Sequence, residues 1–181
     1  MSFLTLITQR QSVRKYSSRP VETEKLNRCL EAARLAPSAS NSQPWHYIVV
    51  DKEPERTQVA NATFSDMVKF NRFTLQVPVL VVLLLEKPRL LNRFAMILKN
   101  KEWRLIDIGI TAEHFCLQAE EEGLGTCMMG WFNEKELKKL LSVPADKAVG
   151  LVISLGYAEE GYTLRKKIRK PLEEMVSYNK Y

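Results

Sequence analysis

The sequence predicts a single domain of the α+β or α/β class, in which helices alternate with short buried strands. The segment 22–36 repeats apolar residues at helical spacing, and 103–122 is the longest helical candidate. Two other segments, 77–85 and 149–155, are runs of leucine and β-branched residues, the pattern of strands buried on both faces. The chain has 181 residues, 45% of them hydrophobic, which is enough for one core and short for two. We therefore expect one domain over residues 1–181, with a strand order that the pattern does not fix.

The first half of the chain is expected to contain three helices and two strands. In chain order they are helix 3–10, helix 22–36, strand 47–50, helix 53–62 and strand 77–85. Pro37 ends the second helix, because proline lacks an N–H group and its ring clashes with the preceding turn. Residues 38–44 are a loop by composition.

The second half is expected to contain three helices, an extended segment and one strand. In order they are helix 90–98, helix 103–122, extended segment 125–132, helix 133–141 and strand 149–155. The first half of 103–122 is apolar nearly all round, which predicts a place in the core or at a subunit interface. Gly123 is expected to end that helix, and Asn133 with Glu136 has the spacing of a capping box. The polar tail 161–181 contains the apolar patch PLEEMV, so we expect it to pack on a partner.

The composition argues against a membrane, disulfide or metal protein. The most hydrophobic run, 77–85, is far shorter than the roughly 20 residues of a membrane helix, and the first residues lack the basic region of a signal peptide. The three cysteines show no CxxC spacing, and the two histidines form neither HxxxH nor HExxH. We expect a soluble cytoplasmic protein without a metal.

The net charge of +6 indicates either an anionic partner or a solvated basic face. Much of the excess lies in an N-terminal basic cluster (Arg10, Arg14, Lys15 and Arg19) and a C-terminal basic cluster (Arg165, Lys166, Lys167, Arg169 and Lys170). Either cluster alone is consistent with a solvated surface, and both together are consistent with one shared phosphate. Nucleic acid is disfavoured, because the basic residues flank apolar core elements and show no aromatic–basic stacking pattern.

No nucleotide-binding glycine motif is present. The segment GLGTCMMG (123–130) has Met128 where GxGxxG needs its third glycine, and Trp131 follows where a P-loop needs lysine. Any NAD(P)H must therefore bind without a Rossmann site. Cys127 has no histidine near it in sequence, and it is interpreted as a buried apolar thiol.

Two polar segments give the clearest functional signal. Residues 10–14 (RQSVR) bring two guanidinium groups and a hydroxyl close together, which suits a phosphate monoester. Residues 36–46 (APSASNSQPWH) form a polar loop stiffened by Pro37 and Pro44. Such a loop can present backbone amides and carbonyls to a planar heterocycle.

Five segments, in order, resemble those of the FMN-dependent nitroreductase family. They are RQSVRKY, APSASNSQPWHYIVV, GLGTCMMGWF, VGLVISLGYA and KIRKPLEEMV, and they span residues 10–176. The resemblance implies the α+β nitroreductase-like fold, with a central mixed, mostly antiparallel sheet flanked by helices and a C-terminal tail packed on the partner subunit. It also implies a homodimer that binds FMN at its interface and is reduced transiently by NAD(P)H.

The resemblance assigns FMN contacts residue by residue. In chain order they are Arg10, Gln11, Ser12, Arg14, Pro37, Ser38, Ala39, Ser40, Asn41, Asn71, Met129, Gly130, Lys167 and Arg169. The first four and the last two surround the phosphate and ribityl chain. A shift of about one residue in the match to the family would assign Arg165 or Lys166 to the C-terminal contacts instead. The backbone of Met129 and Gly130 faces flavin N5, so no catalytic side chain is expected. Asn71 is either a hydrogen-bond partner of the ring or a helix-surface amide.

The resemblance implies ping-pong transfer of reducing equivalents from NAD(P)H to nitroaromatic, quinone or flavin acceptors. Two alternatives stay open: reductive dehalogenation or flavin cleavage on the same fold, and a non-catalytic flavin binder. Residues 87–102 are cationic and apolar where long family members have a large insertion. They form either a lid over the open flavin face or a packed surface helix.

Overall fold

A computed structural model describes residues 1–87 and 102–181. The helices are α1 (Phe3–Gln9), α2 (Thr23–Arg34), α3 (Glu55–Asn61), α4 (Trp103–Glu121) and α5 (Glu134–Leu140). The strands are β1 (Trp45–Val50), β2 (Val79–Leu85), β3 (Gly125–Met129) and β4 (Ala148–Gly156). The helix expected at 90–98, and the lid segment 87–102 except for its two end residues, lie outside the described residues.

The four strands form one antiparallel sheet in the order β1-β2-β4-β3. With helices on both sides, this arrangement confirms the α+β class. Among the described residues, the parallel pairing is a single bridge between Ser12 and Thr126, at the outer edge of β3. The N-terminal segment therefore extends the sheet at the edge where the chain returns from α4.

Both faces of the sheet are buried, as the run of apolar residues in β2 predicted. All seven residues of β2 are buried, and alternate side chains enter different core layers. Val81 and Leu83 lie with Cys29 of α2 and Phe115 of α4, whereas Val82 lies in the layer with α3 and α5. Helices on each face thus account for a strand without polar alternation.

The helix ends follow the residues that the sequence marks as caps. Gly123, just beyond α4, has φ of 76°, a left-handed conformation that glycine adopts without a Cβ clash. The Asn133 side chain accepts a hydrogen bond from the Glu136 backbone N–H at 3.1 Å, as an N-cap residue does. Helix α2 ends at Arg34, shortly before Pro37.

The apolar first half of α4 divides between the core and an exposed surface. Ile108 and Ala112 are buried, and Phe115 is fully buried against the sheet. Leu105 and Ile106 are 58% and 61% exposed. One face of the helix therefore belongs to the core, and the other is an uncovered apolar surface.

Apolar side chains are also exposed in α1 and in the tail. Phe3 and Leu4 are 64% and 72% exposed on α1, which packs beside α4. In the tail, Ile168, Leu172 and Met175 are exposed as well. The uncovered apolar side chains are thus concentrated on α1, the start of α4 and the tail, together with residues near the site described below.

Among residues 1–87 and 102–181, no helix combines the length and apolar composition needed to cross a membrane. Within the same residues, no group of three or more His, Cys, Asp or Glu side chains is arranged to hold a metal ion. All three cysteines are buried free thiols, which confirms the interpretation of Cys127.

Candidate functional site

Residues from the two basic clusters line one pocket of about 330 Å³, here named the basic pocket. Its walls are Arg10, Gln11, Ser12, Arg14, Arg165, Lys166, Lys167, Ile168 and Arg169. Segments more than 150 positions apart in sequence therefore form one concave, cationic surface. A small anion with several acceptor oxygens fits such a surface.

Pairing with the sheet edge fixes the N-terminal wall of the basic pocket. The Val13 N–H group donates to the Thr126 carbonyl at 2.8 Å, and the Val13 side chain is buried. A Cβ atom at Gly125 would lie 2.6 Å from Val13 Cγ2, so this close approach requires glycine. Ser12 and Arg14, on either side of Val13, line the basic pocket.

Hydrogen bonds to residues 10–12 fix the C-terminal wall. The Arg165 guanidinium donates to the Ser12 carbonyl at 2.5 Å and to Gln11 Oε1 at 3.3 Å. Lys167 donates to the Arg10 carbonyl, and the Gln11 side-chain amide donates to the Thr163 carbonyl at 3.3 Å. Gln11, Arg165 and Lys167 thus build the pocket by joining its two walls.

The remaining cations give the pocket its binding capacity. Within the described part of the chain, the exposed side chains of Arg14 and Lys166 have no hydrogen-bond or ion-pair partner. Arg10 is 18% exposed, with its Nη2 atom 3.6 Å from Glu113 Oε2. Its Nε atom is buried without a hydrogen-bond partner. The pocket therefore offers donors that the described residues do not satisfy.

A larger cavity of about 630 Å³, bordered by Tyr16 and Pro78 among others, has fewer charged groups available to bind a ligand. The one arginine that lines it, Arg56, already donates to the Leu75 and Val77 carbonyls and to Glu53. Its cation is therefore used to join local backbone, and the basic pocket is the better candidate site.

The loop at 37–43 adopts an unusual backbone conformation. Ser40, Asn41 and Gln43 have φ of 53°, 49° and 46°, in the left-handed region that non-glycine residues rarely enter. The Gln43 N–H group donates to Ser38 Oγ at 2.9 Å, which closes the loop on itself. Residues held in this region often occur at binding sites.

One contact joins this loop to α4, and the sequence analysis did not anticipate it. The Ala39 N–H group donates to Asp107 Oδ1 at 3.1 Å, and Asp107 is only 4% exposed. The signal was a single carboxylate within the apolar stretch LIDIGI (105–110), at a position that faces inward.

Asn71 is a buried amide, so the alternative of a helix-surface residue is wrong. Its Nδ2 atom donates to the Thr63 and Trp131 carbonyls, both at 3.1 Å, and the residue is 4% exposed. The short helical turn Arg72–Gln76 follows it directly. Both amide hydrogens join this turn to the segment after β3, and Oδ1 is the atom left to accept another hydrogen bond.

The segment after β3 passes from the core to the surface beside two exposed aromatic rings. Met129 is 3% exposed, whereas Gly130 is exposed. Trp131 and Phe70 are 54% and 64% exposed and meet edge to face, with ring centroids 6.3 Å apart. This aromatic pair, which the sequence analysis also missed, lies next to the backbone expected near flavin N5.

Two buried thiols, Cys127 and Cys116, interact with residues of the basic pocket. Burial raises the pKa of Cys127, although the Arg14 cation and a hydrogen bond with Ser12 act in the opposite direction. Burial likewise raises the pKa of Cys116. The thiolate is the reactive form of cysteine, so both groups remain inert near neutral pH.

The chain belongs to the nitroreductase family. The model of that family matches residues 7–157, which include the N-terminal wall of the basic pocket, the 37–43 loop and the segment after β3. A provisionally named NADH dehydrogenase/NAD(P)H nitroreductase of Archaeoglobus fulgidus is 32% identical over 162 residues, covering 87% of this chain and 86% of the relative.

Two further relatives cover almost the whole chain. The solved structure of an FMN-dependent nitroreductase from Clostridium difficile R20291 has a TM-score of 0.78 at 27% identity and covers 99% of this chain and 100% of its own. The iodotyrosine deiodinase of Thermotoga neapolitana is 26% identical and covers 97% of both chains. The fold of the described residues is therefore nitroreductase-like, and the names of these two relatives indicate different acceptors.

Proposed function

We propose that the protein binds FMN and uses it to pass reducing equivalents from NAD(P)H to nitroaromatic, quinone or flavin acceptors. The principal support is the meeting of residues 10–14 and 165–169 around one basic pocket. FMN ends in a phosphate monoester, the anion that a cluster of guanidinium and ammonium groups binds well. The similarity to the FMN-dependent nitroreductase of C. difficile supports the same cofactor.

The residues present fit the phosphate of FMN. Arg14 and Lys166 offer charged donors that lack partners within the described residues, and the buried Arg10 Nε atom needs an acceptor. Lys167 and Arg169, expected as direct contacts, line the same pocket. The Lys167 ammonium group donates to the Arg10 carbonyl and keeps two further N–H donors, so Lys167 and its neighbour Lys166 can both contact the phosphate.

The protein groups around the ring would bind and orient it. FMN, when bound, supplies the chemistry of hydride acceptance and release. The backbone of Met129 and Gly130 would face N5, Asn71 Oδ1 would accept a hydrogen bond from the ring, and the 37–43 loop would cover one face. Reductant and acceptor would use the open face in turn, since the sequence has no Rossmann motif for a separate nicotinamide site.

A homodimer completes this proposal. The apolar side chains exposed on α1, α4 and the tail need a cover, and exposed apolar surface marks an interaction site. We propose that a second copy provides it, with the tail packed across the junction and the 37–43 loop of one subunit facing the flavin of the other. The three reduced, buried thiols support a cytoplasmic location.

The aromatic pair supports an aromatic acceptor. Phe70 and Trp131 present ring surface immediately after the backbone of Gly130. Planar nitroaromatics, quinones and flavins stack on such rings. Reductive dehalogenation of a halogenated aromatic is the second candidate, supported by the similarity to the T. neapolitana iodotyrosine deiodinase.

One set of measurements on the purified protein tests the proposal. We expect a yellow dimer whose flavin absorbance is bleached by NADH or NADPH without oxygen and restored by p-benzoquinone or nitrofurazone. Restoration by iodotyrosine, but by neither of those acceptors, would favour the second candidate. A protein that does not bind added FMN would refute both.

A further inference from the structure

The 37–43 loop has a conformation that its own residues do not favour. Ser40, Asn41 and Gln43 are all left-handed; asparagine tolerates this region, but serine and glutamine rarely adopt it. Side chains with a Cβ atom avoid this region for steric reasons, so the surrounding structure must impose the conformation. The conformation therefore depends on contacts that hold the loop from within and from outside.

The contacts within the loop determine its shape but not its position. Gln43 N–H donates to Ser38 Oγ at 2.9 Å, and Asn41 N–H donates to the Ser38 carbonyl at 3.0 Å. The Gln43 side-chain amide donates to Asn41 Oδ1 at 2.9 Å. All three bonds would survive if the loop moved as a unit relative to the rest of the molecule.

Asp107 provides the connection to the rest of the molecule. In the described part of the chain, the bond from Ala39 N–H to Asp107 Oδ1 is the hydrogen bond that joins residues 37–43 to another element. Asp107 lies in α4, next to Ile108 of the core and one turn before the fully buried Thr111. The acceptor is therefore mounted on a helix that packs firmly against the sheet.

The carboxylate is not explained by stability alone. Asp107 Oδ2 is buried and has no hydrogen-bond partner among the described residues. A buried carboxylate oxygen without a donor is unfavourable, and an apolar side chain of similar size is often neutral or better at such a site. A carboxylate at this position is understandable if its task is to hold the loop.

We infer that Asp107 is a positioning residue that fixes the 37–43 loop against the flavin, an inference that rests on the proposed function. It directs the Ala39 N–H group towards α4, so that amide is not available to the cofactor. The loop then contacts the ring through its other residues, Pro37, Ser38, Ser40 and Asn41. Ala39, expected as a direct contact, contributes by anchoring the loop.

Three variants test this role: Asp107→Ala, Asp107→Asn and the control Phe115→Leu. Alanine removes the acceptor, whereas asparagine keeps an oxygen at Oδ1. Phe115 lies in the same helix, is fully buried and does not hydrogen-bond to the loop, so its truncation reports a general loss of packing. The measurements are hydrogen exchange of peptides covering 37–43 in the FMN-free protein, the Kd for FMN, and the reduction potential of the bound flavin.

For Asp107→Ala we expect loop exchange and the Kd for FMN to rise about tenfold, as for loss of one buried hydrogen bond, with a shifted reduction potential. Asp107→Asn should stay within about threefold of wild type, because the acceptor is retained. Phe115→Leu should lower Tm without altering loop exchange or the potential. Equal behaviour of Asp107→Ala and Phe115→Leu would overturn the inference and leave the proposed function intact.

Hydrogen exchange of the 37–43 loop is measured without FMN. The proposed function and the positioning role of Asp107 can therefore be refuted independently. A wild-type protein that does not bind FMN would overturn the proposed function and the role of Asp107 towards flavin. The exchange of the 37–43 loop would still show whether Asp107 holds it in place.

Discussion

At the scale of single residues, the candidate site depends on a few side chains with narrowly defined tasks. Gly125 allows residues 10–14 to lie against β3, since a Cβ atom there would meet Val13 Cγ2 at 2.6 Å. Gln11 and Arg165 use their polar atoms to join the walls of the basic pocket. The side-chain N–H donors of Arg14 and Lys166 have no hydrogen-bond partner among the described residues. Residues that build the site and residues that would bind the anion are thus separable by mutation.

Gly125→Ala should displace the N-terminal wall of the basic pocket. The new methyl group must push Val13 aside, and overpacking of this kind destabilises by about 1–3 kcal/mol. Urea unfolding would measure the loss, and titration with FMN should show weaker binding. Gly150→Ala is the matched control, because a Cβ atom there meets its nearest neighbours only at 3.4 Å. Equal effects of the two variants would contradict this account of Gly125.

Trp131→Ala should raise KM for aromatic acceptors. Removal of the indole takes away half of the aromatic pair, and an aromatic contact contributes about 0.5–1.5 kcal/mol beyond its buried area. Steady-state kinetics with a nitroaromatic and with ferricyanide, which does not stack, would separate the effects. A similar loss with both acceptors would show that Trp131 acts on the cofactor site rather than on the acceptor.

Glu22 is expected to make stability depend on pH in the acid range. Hydrogen bonds from the Tyr157 hydroxyl, from backbone and from Arg19 lower the pKa of Glu22 to about 2. Because the folded-state pKa lies below the ordinary value of 4.5, the stabilisation is present above that pH and is lost as the pH falls towards 2.

The stability difference between wild type and Glu22→Gln should therefore shrink on acidification across this range. Urea unfolding at several pH values would measure it. Tyr157→Phe, which removes the donating hydroxyl, should reduce the same pH dependence. A difference that stays constant from pH 5 to pH 2 would contradict the assignment.

At the scale of elements, the antiparallel sheet is the fixed frame and the candidate site lies at its margins. Strand β2 is covered on both faces, and α4 packs on one of them. Residues 10–14 pair with the β3 edge, the 37–43 loop is joined to α4, and the aromatic pair follows β3. Substitutions at the margin can therefore alter binding while the frame persists.

Deletion of the tail beyond Gly161 should affect the basic pocket and leave the sheet intact. Deletion of residues 164–181 removes Arg165 and Lys167, and with them the hydrogen bonds that hold the C-terminal wall of the basic pocket. The four-stranded sheet does not include this segment. We expect far-ultraviolet circular dichroism to remain near wild type while FMN binding is lost. Retained FMN affinity would contradict the assignment of this wall.

Sequence patterns predicted most elements because local chemistry decides them. The run of leucine and β-branched residues predicted β2, and the Asn133–Glu136 spacing predicted the start of α5 within one residue. The order β1-β2-β4-β3 could not be predicted, because antiparallel pairing joins segments through contacts that leave no local pattern.

The candidate site was predictable only where a local pattern in the sequence marks its residues. The charge pattern was consistent with two basic clusters that share one phosphate, and also with two solvated surfaces. The resemblance to the nitroreductase family implied the shared phosphate, and residues of both clusters line one pocket. Asp107 was missed because its partner is a backbone N–H group nearly 70 positions away. The aromatic pair was missed because Phe70 and Trp131 meet only in the folded chain.

At the scale of the whole molecule, the exposed apolar residues are unevenly distributed. Leu105 and Ile106 on α4 and Phe3 and Leu4 on α1 form uncovered surface, whereas the sheet itself is covered on both faces. In a single copy, the side chains of the core are buried, whereas these apolar side chains on α1 and α4 remain exposed. The proposed function requires a second copy that covers this exterior and places its own 37–43 loop at the site.

Ile106→Glu should convert the proposed dimer to monomers that bind FMN weakly. The residue is 61% exposed, so the charge costs little in the isolated subunit but would be buried without a partner in a dimer. Molar mass by light scattering and flavin content would be measured together. Gln58→Glu on the exposed side of α3 is the control for added charge. A dimer with full flavin content in Ile106→Glu would place the interface elsewhere.

The joining of residues 10–12 to residues 163–167 also has a consequence for biosynthesis. Residues 10–14 are synthesised more than 150 positions before residues 165–169, so a nascent chain has no complete anion site until the later segment has been made. Stalled or prematurely terminated products would remain colourless even with an intact sheet. Flavin colour would then report that synthesis has passed this segment.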